Sequence, residues 1–422
     1  MILNWLYLDL NSYFASVEQQ LQKHLRNKPI AIVPIMTDAT CAIAASYEAK
    51  AYGVKTGTMI YEAKKLCPEL ICVEAKHENY VAYHHKILAE IDKYIPIEII
   101  ASIDEVACKL IGNQKQEEQA SQLAKNIKKG LQKNVGTYIR CSIGIAPNRF
   151  LAKTASNLEK PDGLQILYSK DIPERIKHFK LSDLTGIGRA MEYRLNKSGI
   201  LSIPELYNIT PKHMRKIWGN VQGEKFWHML RGEEITDIKT ERKTIGHSHV
   251  LEPKWRTTKL AEKVMSRLLL KAASRLRRMN YYSSRLSLSI KTEKGLRLED
   301  KSTFYRACDN KKLLEESRKI WKNLIKNKKI IKIKKISVTL YKLEKKNRLQ
   351  PSLFENFDKV YCDNFNKVNE SKLNKANVIV FSPGPGSPKD YPSSSRIYKK
   401  FKGKKKIIGI CLGFQQILYC EK

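Results

Sequence analysis

Acidic residues are scarce in this chain. Across 422 residues, Asp plus Glu number 42 against 78 Lys plus Arg, a formal net charge of +36. That imbalance points to a polyanionic partner, because each phosphate neutralised by a lysine or arginine releases condensed counterions. A codon bias favouring Lys, Ile and Asn would raise the lysine count but does not explain the acidic shortfall. Long apolar runs are missing too. No stretch approaches the ~20 residues that cross a bilayer, so no membrane span is expected. The opening MILNWLYLDLNSYF carries Asp9 and lacks a basic flank and a small-residue cleavage site. It reads as a buried strand rather than an export signal. Nine cysteines occur without any C-x-x-C pair, which removes a zinc ribbon or a disulfide framework, and their odd number suits a reducing cytoplasm. There is no internal repeat and no low-complexity tract.

What is present suggests several domains, since single domains usually run about 100–200 residues. Residues 1–165 alternate strand-like runs (WLYLDL, PIAIVPI, LICVEA, IEIIASI, YIRCSIGIA) with helical stretches at 77–93 and 116–133. Such alternation predicts an α/β or α+β layer structure. Residues 166–232 read as helices joined by turns at TGIG and KSGI, and 233–243 as a polar linker. From 244 to 342, IGHSHVL, RLSLSI and IIKIKKISVTLY bracket helices at 259–279 and 311–327, in the order β-α-β-β-α-β. Beyond 343 a polar stretch leads to VIVFSPGPGSP and IIGICLGFQQI.

Two places concentrate acids at strand ends: Asp9 in LYLDLNSYFASVE, and Asp104-Glu105 in SIDE after another apolar run. A buried carboxylate without compensation costs several kcal/mol or takes up a proton. Three acids so placed therefore suit a cation, and carboxylate oxygens are what Mg²⁺ prefers beside phosphates and water. Neighbours on a regular strand point to opposite faces, so Asp104 and Glu105 share a site only at a turn or bulge. Otherwise one binds metal and the other is a solvent-facing turn acid.

The segments DLNSYFASVE, SIDE and CSIGIAPNRFLAKTASNLEKPDG, in this order, resemble the palm motifs of the Y-family, translesion DNA polymerases. The resemblance covers residues 1 to about 342. It implies a multidomain α+β right hand: palm 1–9 and 76–165, fingers 10–75, a helix-hairpin-helix thumb 166–232, and a βαββαβ little finger 244–342 after the linker. The implied activity is template-directed DNA synthesis of low fidelity, in damage tolerance and repair. The catalytic Asp9, Asp104 and Glu105 would hold two Mg²⁺ ions, with the Leu10 carbonyl contributing and Mn²⁺ able to substitute. In-line phosphoryl transfer follows from such a metal pair. The alternative is a weak or inactive accessory that binds DNA and a clamp, and retention of all three carboxylates speaks against it.

By the same resemblance Phe14, after Tyr13, is an aromatic gate under the sugar that excludes ribonucleotides; read alone, it is a core aromatic. IAASYEAKAYGVKTGTM is similar to the family's fingers segment. Tyr47 and Lys50 lie three apart on one helical face and can reach a triphosphate together. Tyr13 and Lys160, the latter in LEKPDG, complete the nucleotide site. Three departures are notable. Lys50 stands where the family often has Arg, losing bidentate phosphate geometry. Ala44 occupies a position where a hydroxyl is common, and Asn11 replaces a second Asp.

LTGIGRAMEYRLNKSGILSIPEL resembles a helix-hairpin-helix. Gly186 and Gly188 free backbone N–H groups for a phosphate at a helix start, and Lys197 and Gly199 belong to the second turn. A glycine turn by itself would be an ordinary helix connection. The little finger has basic runs at Arg275-Arg277-Arg278 and Lys332-Lys334-Lys335; strand period puts Lys332 and Lys334 on one face, suited to tracking phosphates without reading bases, and some of the other charges are ordinary solvated surface. Primer-template DNA and deoxynucleoside triphosphates are the implied partners of a cytoplasmic monomer.

Within 343–357, Gln350-Pro351-Ser352-Leu353-Phe354 resembles a sliding-clamp-binding peptide anchored by Gln350, Leu353 and Phe354. Residues 358–422 resemble two motifs of class I glutamine amidotransferases, with Gly384 to Gly386 in an oxyanion loop and Cys411 as nucleophile. That chemistry needs a His to activate the thiol. None follows His249. The segment therefore reads as a fragment with a vestigial nucleophile, and no amidotransfer is expected.

Overall fold

In the computed structural model, residues 2–235, 241–326, 332–346, 370–382 and 386–421 are described. The chain divides into two units, Met1–Lys239 and Thr240–Lys422.

The strands of the first unit are β1 (Trp5–Leu10), β2 (Ile30–Val33), β3 (Ala44–Ala45), β4 (Ile71–Glu74), β5 (Ile99–Ile100), β6 (Glu105–Lys109), β7 (Cys141–Ala146) and β8 (Leu164–Ile166). They form a five-stranded sheet, β5-β6-β1-β7-β8, and a three-stranded one, β3-β2-β4. β1 is central and apolar on both faces because two separate cores claim its alternate residues. Leu6, Leu8 and Leu10 pack with Tyr80, Ile87, Ile91 and Ile127 from the helices His77–Ile91 and Glu117–Gly130. Trp5 and Tyr7 pack on the other side with Leu151 and Ala155, from the helix Arg149–Leu158.

The expected helical region holds short 3₁₀ turns and then the helices Arg189–Lys197, Ile203–Asn208, Pro211–Trp218 and Val221–Leu230. Local chemistry starts them. The Ser202 hydroxyl accepts from the Glu205 N–H, the Glu205 carboxylate accepts from the Ser202 N–H, and Thr210 caps the helix whose first residue is Pro211. Their core is Leu195, Leu206, Met214, Trp218, Phe226 and Leu230.

In the second unit, β9 (Thr244–Val250), the helix Thr258–Arg278, β10 (Tyr281–Thr292), β11 (Arg297–Ala307), the helix Asn310–Lys326 and β12 (Ile333–Lys345) give the expected β-α-β-β-α-β order. The sheet is antiparallel, β11-β10-β12-β9. One expectation fails in detail. Lys332 precedes β12 rather than lying in it, and the register slips so that Lys291 faces Lys335 while Thr292 faces Ile333. Lys334 is the extra residue of this irregularity, so simple period-two placement with Lys332 does not hold. Both lysines are exposed, and Lys332 lies 3.9 Å from Glu293.

The C-terminal segment forms a parallel pair, β13 (Val378–Phe381) and β14 (Lys406–Gly409). Ile379 and Phe381 are covered by Tyr398 and Phe401, whereas Val378, Val380 and Ile408 are exposed.

Candidate active site

Pairing register brings the acids together. Asp9 of β1 lies directly across from Glu105, the first residue of β6. Directly paired residues share a face, so both carboxylates stand on the Tyr7 side of the sheet. Asp104 sits in the turn just before β6, where its carbonyl accepts from the Leu10 N–H at 2.8 Å. That turn is the irregularity the adjacent acids need. The Ser102 hydroxyl caps it, donating to Asp104 Oδ1 at 2.5 Å.

Two lysines hold the pair. Lys160 Nζ donates to Asp9 Oδ2 at 2.7 Å, and Lys153 Nζ to Glu105 Oε1 at 2.7 Å. Tyr7 donates its hydroxyl to Glu105 Oε2 at 3.2 Å. Burial raises the Asp9 carboxyl above its ordinary range; Lys160 opposes this, and the neighbouring Glu105 and Asp104 charges reinforce it. Among the described residues no group of three Asp, Glu, His or Cys side chains is placed as a metal-ligating cluster, and Asp9 and Glu105 each pair with a lysine. The donor set is nevertheless all oxygen and carries clustered negative charge, the chemistry a hard divalent cation relieves. The residues fit such an ion.

Asp9, Leu10 and Asp104 border a cavity of about 280 Å³ together with Tyr13, Phe14, Ala44, Tyr47, Lys50 and Lys160. The nucleotide-site residues expected from the sequence therefore share one space. Tyr47 and Lys50 lie on the helix Tyr47–Ala51, with Lys50 Nζ 4.3 Å from the centre of the Tyr47 ring. Burial lowers the Lys50 ammonium pKa; Lys160 adds to this and Asp9 opposes it. Burial, then Asp9, pushes the Tyr47 phenol up to about 12. Ala44 is 8% exposed and offers no hydroxyl. Asn11 is buried and braces the loop that carries Lys160: its Oδ1 accepts from the Asp162 N–H at 2.8 Å and its Nδ2 donates to Ser142 Oγ at 3.1 Å.

Lys153, Tyr7, Ser102 and Ser12 are additions to the expected set. Ser12 Oγ is buried beside the cavity without a hydrogen-bond partner. For Lys153 a signal exists: it is a lone cation between the buried FLA and TAS stretches of the helix Arg149–Leu158. The other expected residues lie elsewhere. Gly186 takes φ +99° in the turn, Gly188 caps the helix Arg189–Lys197, of which Lys197 is the last residue, and Gly199 follows at φ +79°. Gln350, Leu353 and Phe354 lie outside the described residues. Cys411 is exposed at φ +54°, between β14 and the helix Leu412–Glu421.

The impB/mucB/samB family matches residues 8–157, its C-terminal domain matches 242–353, and a DNA polymerase-iota thumb domain matches 182–234. DNA polymerase IV of Moorella thermoacetica is 33% identical over 68% of this chain and 72% of its own length. DNA polymerase IV of Bacillus velezensis is 30% identical over 74% and 75%. A solved Y-family DNA polymerase chimera superposes with a TM-score of 0.69 at 22% identity, covering 82% of this chain and all of its own. The chain belongs to the Y family of DNA-directed DNA polymerases, in its DNA polymerase IV-like group. Class I glutamine amidotransferases match residues 351–420. No described helix is long and apolar enough to cross a membrane.

Proposed function

We propose that the chain adds deoxynucleotides to a primer 3′ end on a DNA template, in low-fidelity synthesis past damaged bases. The observation that carries this reading is the register placing Asp9 opposite Glu105, with Asp104 in the adjoining turn, beside a cavity that also holds Phe14, Tyr47, Lys50 and Lys160. Asp9, Asp104, Glu105 and the Leu10 carbonyl would hold two Mg²⁺ ions, or Mn²⁺ in their place. Bound there, the ions would lower the pKa of the attacking 3′-hydroxyl and offset charge on the departing pyrophosphate. Lys50 and Lys160 set positive charge where a triphosphate would lie, with Tyr47 and Tyr13 flanking it. Phe14 faces the sugar. Lys153 and Tyr7 hold the Glu105 carboxylate in one orientation.

The five-stranded sheet serves as palm in this reading, the three-stranded sheet as fingers, and the helices from Arg189 to Leu230 as thumb. Gly186, Gly188, Lys197 and Gly199 there, and Lys332 and Lys334 in the second unit, contact the DNA backbone. Gln350, Leu353 and Phe354 dock on a sliding clamp, and the protein works in the cytoplasm as a monomer. Amidotransfer forms no part of the proposal. Primer extension by the full chain tests the reading: synthesis should require template, deoxynucleotides and a divalent cation. Absence of cation-dependent synthesis would refute it.

A further inference from the structure

One fully buried carboxylate lies behind the cavity rather than in it. Glu18 is on the helix Tyr13–Leu21, four residues after Phe14, and is 0% exposed. Its Oε1 accepts from the Tyr80 hydroxyl at 3.0 Å and its Oε2 from Gln22 Nε2 at 2.7 Å. Burying an acid is costly unless its oxygens are satisfied, and the partner that ties this one to function is Tyr80. The Tyr80 ring, itself 0% exposed, stacks on Phe14 with centroids 4.4 Å apart and planes at 21°.

Tyr80 is immobilised at three points. Its hydroxyl donates to Glu18 and accepts from the Lys76 N–H at 3.3 Å, and its carbonyl accepts from the Tyr13 hydroxyl at 2.6 Å. Burial, then Glu18, holds the Tyr80 phenol far above its ordinary range, so it remains a donor. Phe14 alone of the stacked pair borders the cavity. A steric gate discriminates only as well as its ring is backed. For Phe14 to retreat from a 2′-hydroxyl, Tyr80 must move, and Tyr80 cannot move while Glu18 holds its hydroxyl.

We infer that Glu18, acting through Tyr80, is the positioning residue that fixes the Phe14 ring and thereby sets the exclusion of ribonucleotides. The inference rests on the assignment of Phe14 as the sugar gate, and it extends the specificity determinant to a side chain that no nucleotide touches. Glu18 and Phe14 share one helical face four residues apart, so helix and stacked ring form a closed brace.

Single-nucleotide primer extension by the full chain, comparing deoxy- and ribonucleotide efficiencies, tests it. Tyr80→Phe keeps the ring and its volume but removes the hydroxyl, and Glu18→Gln keeps the shape but sets an amide against Gln22. Each should lower sugar discrimination about tenfold, the equivalent of one charge-assisted hydrogen bond, while deoxynucleotide efficiency changes less than about twofold. In the Phe14→Ala background, Glu18→Gln should change discrimination no further, because its effect passes through that ring. Discrimination unchanged in both single variants while Phe14→Ala relaxes it would overturn the inference and leave the gate standing. A full additional loss in the double variant would also overturn it, since that is what general loosening produces. Unchanged discrimination in Phe14→Ala would overturn the gate assignment and the inference together. If thermal melting shows Glu18→Gln to be unfolded, Tyr80→Phe decides.

Discussion

Replacing Gly144 by alanine should damage both stability and catalysis, for one geometric reason. Gly144 lies on β7 opposite Tyr7, under the helix Arg149–Leu158. A Cβ there would sit 2.0 Å from the Ala152 carbonyl oxygen and 2.3 Å from the Ser156 nitrogen, where ordinary contact begins at 3.4 Å. Both obstacles are backbone, so no rotamer change relieves them, and the helix must retreat by more than an ångström. Overpacking usually costs about 1–3 kcal/mol, and a clash against backbone belongs at the upper end, about 3 kcal/mol. The displaced helix carries Lys153, whose 2.7 Å contact with Glu105 does not survive such a shift. Urea denaturation should show a lower midpoint at unchanged slope. Primer extension, measured where the variant is still folded, should fall about tenfold, as one charge-assisted contact implies. A wild-type midpoint together with wild-type extension would refute the packing argument.

Lys50→Arg addresses the lowered Lys50 pKa. A depressed folded value means that the unfolded lysine holds its proton more tightly, so this group adds stability above the unfolded pKa and loses it as pH falls through the folded one. In function the ammonium is lost at lower pH than in a free lysine, so the nucleotide KM should climb with alkaline pH in the wild type and stay flatter in Lys50→Arg; parallel profiles would count against the assignment. Lys153→Met removes a cation that competes for Glu105, a pair only 23% and 20% exposed. Melting temperature should fall, by the equivalent of about 1–3 kcal/mol, and half-maximal extension should need less divalent cation. No change in the cation requirement would show that Lys153 does not share Glu105 with the ion.

Much of the fold was readable because local pattern and final environment coincide. WLYLDL is a strand because both of its faces are buried, and the helix expected at 77–93 spans His77–Ile91. The helix expected at 116–133 ends at Gly130, where the chain widens into a π turn over Leu131–Val135. IEIIASI looks like a full strand, yet only Ile99–Ile100 pairs, because the chain must leave the sheet edge to turn Asp104 toward the cavity. Residue types announced Asp9, Asp104 and Glu105, but the pairing of Asp9 with Glu105 depends on register between segments almost a hundred residues apart. Periodicity carries no such information. The Lys153–Glu105 contact and the Glu18–Tyr80–Phe14 brace were hidden for the same reason: each is a contact between elements. The slip at Lys334 is likewise set by pairing with β10.

Asp104→Ala and Glu105→Ala, assayed side by side for primer extension and for DNA retention, give the most direct test of the carboxylate site. If these acids hold the ions that drive phosphoryl transfer, extension should fall below detection in each variant. DNA affinity should stay within about twofold, because in the proposed reading backbone contacts from the basic segments supply it. Extension at wild-type rates by either variant, with Mg²⁺ or Mn²⁺, would contradict the assignment.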